Sequence, residues 1–321
     1  KQAGLDGIEI EAYGHFLDSF WSPATNKRKD LYGGSLENRV SFSLKVIDSV
    51  RKKVGNDFIL GIRMVTDEDW NKGLSKEEGI KIAQKITSSN KIDFLNVIKG
   101  HIDTDASLTK VIPIQGMPSS PHLDFSGEIK KLTNFPVFHA AKINDVATAR
   151  YAISSGKIDM VGMTRAHIAD PHIIKKIINK KENSIRPCVG ATYCLDRIYE
   201  GNEALCIHNP ATGREKFMPH EIDVKSKNKR KIVIVGSGPA GLEAARVCAE
   251  KGNQVVVFEA LNEPGGQINL ICRSDRRKDM KGIIDWRFQQ CHKLNVKFIF
   301  NTYANKEIIL SAGTIGSPHI L

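Results

Sequence analysis

The sequence has no long apolar run. Its apolar stretches, such as Ile232–Val235 and Val255–Phe258, are only a few residues long. A membrane-spanning helix needs about 20 apolar residues, so no membrane partner is expected. The first residues, Lys1 to Asp6, lack the apolar core of a secretory signal. There is no initiator Met, so the chain is expected to begin inside a longer gene product. Cysteine is sparse, with six in 321 residues, which excludes the dense disulfide framework of a small secreted domain. Acidic residues number 36 against 47 basic ones, a net charge of +11. Such an excess suits a nucleic-acid partner. Here the lysines are scattered, and the densest run, Lys225 to Lys231, precedes a strand and reads as a solvated linker. No nucleic-acid partner is expected. Repeats and low-complexity tracts are also missing. With 41% hydrophobic and 26% charged residues, the chain is of globular class, with a prior of about two domains.

What is present is an alternation of short apolar runs with helical patterns. Gly7–Ile10, Phe58–Met64, Phe94–Ile98, Val137–Ala140 and Ile158–Gly162 read as strands. Leu36, Val40, Leu44, Ile47, Val50 and Val54 recur at 3/4 spacing and predict a helix over Ser35–Val54. Ser75-Lys-Glu-Glu78 is a capping box. Another helix is expected from Asn144-Asp145. Asp170-Pro171 predicts a further one, Asp at the N-cap and Pro at N1. Five βα units imply a parallel sheet, either open or a closed barrel short of about three units.

From Lys229 the order becomes strand, glycine turn, helix, strand. Lys231 to Arg246 carries G-x-G-x-x-G. Gly236 permits the tight turn, Gly238 lets a pyrophosphate approach the backbone, and Gly241 allows helix–strand packing. The helix start offers free N–H groups to phosphate. Glu259 follows the next strand, where an acid accepts hydrogen bonds from ribose hydroxyls. Pro264-Gly-Gly266-Gln267 after that acid resembles the FAD-type version of the fold more than the NAD type.

Cys188, Cys194 and Cys206 fall within nineteen residues. Short cysteine spacings of this kind suit an iron–sulfur cluster, of four-iron or three-iron type. A C-x₂-C-x₂-C run would need a cysteine where Ala191 stands. Zinc, with His208 as a further ligand, and plain structural thiols are the alternatives. The cysteine usage points to a reducing compartment, and a cytoplasmic location is expected.

Asp6-Gly-Ile-Glu-Ile10, the stretch Ser22 to Arg39 with Tyr32-Gly-Gly-Ser-Leu-Glu-Asn-Arg39, and Val161 to Pro171 together resemble the old yellow enzyme family. The order of barrel, cysteine segment and nucleotide fold is similar to the branch holding 2,4-dienoyl-CoA reductase and trimethylamine dehydrogenase. Glu11-Ala-Tyr-Gly-His15 and the cysteine segment look most like that branch's dimethylglycine and N-methylproline demethylases. The resemblance covers residues 1 to about 305. It implies a partial (β/α)₈ barrel, about strands four to eight, over 1–182, an iron–sulfur segment and linker over 183–228, and a partial Rossmann-like FAD/NAD-binding domain over 229–321.

The resemblance also implies FMN at the C-terminal ends of the barrel strands. Arg63 would lie beside the flavin N1/C2 carbonyl. Ala141, Lys142, Met163, Thr164 and Arg165 would form the phosphate site. Tyr13 and His15, with Glu11, would meet the substrate. An acid and a tyrosine suit a small amine better than an enone, because a carboxylate holds an alkylammonium and an aromatic face attracts a cation. The implied reaction is oxidative N-demethylation at FMN. Electrons would leave through the cluster to an FAD or ADP-type dinucleotide domain, to NAD(P)H chemistry or to an electron-transfer protein. The alternatives are an NAD(P)H-dependent dienoyl-CoA or enoate reductase and a non-catalytic nucleotide-binding fragment. A half barrel pairing with another copy makes a homo-oligomer conceivable. Lys306 to Leu321 instead resembles a signature of the glucose–methanol–choline oxidoreductases, an unrelated FAD family.

Overall fold

The computed structural model describes residues 3–14, 16–222 and 229–305. The chain divides into two compact units, 1–113 with 118–164, and 114–117 with 165–321. Among the described residues, no helix is long and apolar enough to cross a membrane.

The first unit is built on five parallel strands: β1 (Gly7–Glu11), β2 (Ile59–Asp67), β3 (Phe94–Lys99), β4 (Val137–Ala140) and β5 (Met160–Gly162). They lie in the order β1-β2-β3-β4-β5. Each strand pairs with its sequence neighbour, so the sheet never reverses its winding. A doubly wound sheet would reverse. Winding in one direction with parallel strands is the construction of a (β/α)₈ barrel, which settles the choice between open sheet and partial barrel in favour of the latter.

The intervening helices are α1 (Leu17–Trp21), α2 (Leu36–Val54), α3 (Lys76–Thr87), α4 (Asp105–Val111), α5 (Leu123–Thr133) and α6 (Val146–Ser154). Leu60, Ile62, Met64, Leu95, Val97 and Val137 point from the sheet to one core, which Val40, Ile47, Ile82, Ile86 and Ile129 fill from the helices. Burying such side chains contributes about 1.5–3 kcal/mol each. The caps follow the sequence in two places. Ser35 accepts from the Asn38 amide at 3.3 Å and Asp145 from the Thr148 amide at 2.8 Å. The box at Ser75 is half made. Ser75 Oγ accepts from the Glu78 amide at 3.3 Å, but the Glu78 carboxylate is drawn to the buried Arg39 guanidinium instead.

The second unit opens with α7 (Thr164–Ala169, its first residue in the first unit), α8 (Ile173–Ile178) and α9 (Tyr193–Tyr199). The helix after Asp170-Pro171 starts two residues later than its Pro predicts, at Ile173. The Asp170 side chain accepts from the His172 and Arg186 amides, so it ties two segments rather than capping the expected turn. Then come β6 (Lys231–Val235), α10 (Pro239–Glu250), β7 (Gln254–Phe258), α11 (Gln267–Ile271), α12 (Gly282–Lys293) and β8 (Lys297–Ile299). The parallel order β6-β7-β8 is a Rossmann-like half sheet. Ala245 and Ala249 on α10 pack against Val255 and Val257 of β7, and Leu242 packs with Ile268 of α11 and Ile283 and Ile284 of α12. The segment Lys306–Leu321, with its second resemblance, lies outside the described residues.

Candidate functional site

In the first unit the strand register builds one row of side chains. Glu11 pairs with Arg63, Arg63 with Asn96, Asn96 with Phe138 and Phe138 with Met160. Aligned residues of parallel strands point to the same side, so this row faces away from the helix core. Arg63 Nη1 is 3.3 Å from Glu11 Oε2. Asn96 Nδ2 donates to Glu9 Oε2 at 2.9 Å. Burial pushes the Glu9 carboxyl up, with the Asn96 hydrogen bond and Arg63 opposing.

Tyr13 stands just beyond β1. It is buried, its ring lies 6.0 Å from the Arg63 guanidinium, and its hydroxyl donates to the Gly100 carbonyl at 3.3 Å. The Tyr13 amide donates to Glu11 Oε1 at 3.1 Å. Burial pushes the Tyr13 hydroxyl well above its ordinary range, aided by Asp18, so the phenol stays protonated. Glu11, Tyr13 and Arg63 are therefore brought together, Glu11 and Tyr13 at and just beyond the C-terminal end of β1 and Arg63 in the middle of β2, which runs on to Asp67 instead of ending near Arg63 as its apolar run Phe58–Met64 suggests. His15 lies outside the described residues.

Trp70 and His101 were not singled out from sequence. They follow β2 and β3, and their rings stack at 5.0 Å and 30°. Their place just after two barrel strands was the available signal, since such barrels put their sites there. Periodicity does not show it.

Arg63 Nε is buried and has no hydrogen-bond partner. An orphaned guanidinium N–H is costly unless a ligand accepts from it, so the position fits a flavin carbonyl. After β4, Ala141 and Lys142 have φ of +148° and +52°. Side chains rarely adopt such a turn, and strained turns of this kind gather at ligand sites. Met163 and Thr164 follow β5 directly. Arg165 is in the second unit, where burial lowers its pKa and the Cys188 and Cys194 thiols oppose that.

All three cysteines of the cluster are free. Burial raises the Cys188 and Cys194 thiols, with Arg165 opposing in both. Among the described residues, however, no three His, Cys, Asp or Glu side chains converge as a metal site requires. His208 turns its Nδ1 to the Pro187 carbonyl at 2.8 Å, and burial holds its pKa well below the usual value.

The glycine turn has the expected form. Gly236 sits at φ +89°. A Cβ on Gly241 would lie 2.0 Å from the Gly236 carbonyl oxygen, whereas one on Gly238 would meet nothing within 4 Å. The space over Gly238 is thus open and α10 starts there with free N–H groups. The second glycine pair docks on the first turn through the Gly265 amide and the Ser237 carbonyl, 2.9 Å apart. Gln267 opens α11 directly after Gly266. Glu259 accepts from Ser237 N at 2.7 Å, Ser237 Oγ at 2.6 Å and Leu261 N at 2.9 Å. Burial opposes its charge, but these bonds outweigh it and hold the carboxyl below its usual range.

Residues 234–296 match an NAD(P)-binding Rossmann-like domain. The chain is 60% identical over 326 aligned residues to a probable N-methylproline demethylase of Rhizobium meliloti (strain 1021), covering 99% of this chain and 48% of that protein. It is 44% identical to an N,N-dimethylglycine/sarcosine dehydrogenase of Chromohalobacter salexigens, covering 96% of this chain and 45% of that protein. A solved 2-naphthoyl-CoA reductase complex superposes with a TM-score of 0.90 at 30% identity, over 97% of this chain and 47% of that one. The chain spans about half the length of the curated relatives it matches. Residues 1–184, more than half of the chain, match the NADH:flavin oxidoreductase / NADH oxidase family, and the chain belongs to that family.

Proposed function

We propose that this chain is part of a flavin-dependent oxidoreductase that demethylates a small N-methyl amine or amino acid. The observation that carries this reading is the grouping of Glu11, Tyr13 and Arg63 at the end of β1 and beside β2. Support comes from the 60% identical relative, whose name is that of an N-methylproline demethylase.

FMN would be held by Arg63, by the Ala141-Lys142 turn and by Met163 and Thr164, with Arg165 following in sequence. Bound FMN supplies the acceptor for a hydride from an N-methyl carbon, and hydrolysis of the iminium left behind gives formaldehyde and the demethylated amine. The chain's own groups bind and orient. The Glu11 carboxylate attracts an alkylammonium. The Tyr13 ring offers it a π face, and the Trp70–His101 stack offers another aromatic wall. Arg63 offsets the Glu11 charge and keeps one N–H for the flavin. His15 is assigned to the substrate on resemblance alone.

Cys188, Cys194 and Cys206 are proposed as ligands to an iron–sulfur cluster. Three free thiols, with the Arg165 cation acting on Cys188 and Cys194, support this, because a cation offsets a cluster's negative charge. Since the thiols do not converge, no electron step is derived through it. The glycine turn is proposed to take FAD or an ADP-type dinucleotide, with NAD(P)H or a carrier protein as the electron partner. The spans are proposed as 1–182 for FMN, 183–228 for the cysteine segment and 229–321 for the dinucleotide fold. A cytoplasmic location fits free thiols.

Glu11→Gln tests the reading. It is expected to keep FMN content and lose most flavin reduction by N-methylproline or dimethylglycine. Unchanged reduction rates in the variant would remove Glu11 from the site.

A further inference from the structure

An arginine buried without acceptors is expensive to keep. Arg186, in the second unit, is 8% exposed, and its Nε has no hydrogen-bond partner. Its nearest carboxylate, Glu243, lies 3.9 Å from Nη2. That carboxylate is already taken by Arg246 at 2.6 Å and Arg287 at 2.8 Å. Three arginines thus share one acid, and Arg186 is the one left short. Its guanidinium stacks 4.5 Å from the Trp286 ring, which fixes its plane. Burial pulls its pKa down to about 10, with Glu243 opposing.

Arg186 opens on a cavity of ≈ 430 Å³. The acids on its wall already hold other groups. Asp170 takes Lys176, Glu250 takes Arg246, and Glu221 takes Lys175 at 3.2 Å. Lys293 lies on the same wall, held by the Asn183 carbonyl at 3.3 Å. Neither Gly236–Gly238 nor Glu259 lines the space, so it is separate from the dinucleotide turn.

We infer that this cavity binds an oxyanion, a phosphate or carboxylate group received by Arg186 and Lys293. A planar guanidinium whose Nε lacks an acceptor suits such a group, and the stacked Trp286 fixes its plane.

Trp286 also reports on the site. The whole chain would be titrated with inorganic phosphate, and separately with acetate, against chloride at constant ionic strength, while tryptophan fluorescence is read. A saturable change with phosphate or acetate is expected, with the effective anion naming the group. It should vanish in Trp286→Phe and weaken about tenfold in Arg186→Gln, the scale of losing charge-assisted hydrogen bonds. Lys293 is exposed, so Lys293→Gln is expected to keep the fold and decides the matter if Arg186→Gln fails to fold. It should weaken binding severalfold, while Arg186→Lys should retain part. No saturable change with either anion, or variants that titrate like the parent chain, would overturn the inference.

Discussion

The Arg63 guanidinium meets the Glu11 carboxylate at 3.3 Å, across the matched register of two adjacent parallel strands. Both groups are part exposed, so the pair itself adds little stability. Its consequence is positional. Glu11 holds one end of the guanidinium, and the buried Nε is left without an acceptor.

Arg63→Gln should therefore cost FMN rather than folding. Retained FMN per chain is expected to fall about tenfold or more, the loss of a charge-assisted hydrogen bond, with the thermal midpoint nearly unchanged. Arg63→Lys should keep part of the flavin. Full FMN occupancy in Arg63→Gln would take Arg63 out of the flavin site.

The two glycines of the α10 turn should respond differently. Gly241→Ala drives a Cβ to 2.0 Å from the Gly236 carbonyl oxygen, and overpacking of that kind costs about 1–3 kcal/mol. Gly238→Ala places its Cβ in open space at an ordinary φ of −67°. It should melt like the parent chain and bind ADP or FAD about tenfold less well, because the backbone no longer approaches a pyrophosphate. Calorimetric titration with ADP checks this, and equal affinity would contradict it.

His139 gives a pH signature. It is 1% exposed, its Nδ1 donates to the Val97 carbonyl at 2.8 Å, and its Nε2 has no partner. Burial depresses its pKa from 6.5 to about 4, with the Val97 carbonyl opposing. The folded state thus holds the ring neutral. This stability is complete above pH 6.5 and is lost as pH falls toward 4. The full effect is about 3 kcal/mol. Denaturant unfolding across that window should show the decline, and His139→Leu should flatten it. An unchanged slope in the variant would assign the decline to other groups.

The cysteine segment should bind iron under anaerobic reconstitution, with about three or four irons per chain for the cluster types named. Cys194→Ser should abolish it. Iron below one per chain in the parent protein would leave these residues as structural thiols.

The fold was largely legible because its signals are local. Strand and helix periodicity, the Ser35 and Asp145 caps and the glycine turn each depend on near neighbours. The Tyr32 to Arg39 stretch identified the family for a scaffold reason. Arg39 is buried, reaching the Trp21 carbonyl and the Glu78 carboxylate, so the motif ties α2 to α1 and α3. The half-made box at Ser75 shows the limit. Glu78 is claimed by a residue 39 positions away, and no local pattern reveals that. Trp70 with His101, and Arg186 with its shared acid, are equally nonlocal. Asp170 misled because a Pro at the next position suits a helix start, while its carboxylate serves the Arg186 amide.

The most direct test of the account is flavin reduction. The chain would be purified anaerobically, its FMN and FAD quantified, and its visible spectrum followed on addition of N-methylproline or dimethylglycine. Bound FMN that bleaches with the amine, with formaldehyde formed in proportion, is the predicted result. FMN that bleaches only with NADPH and passes its electrons to an enoyl thioester would contradict the demethylase reading. A colourless protein would contradict the flavin site itself.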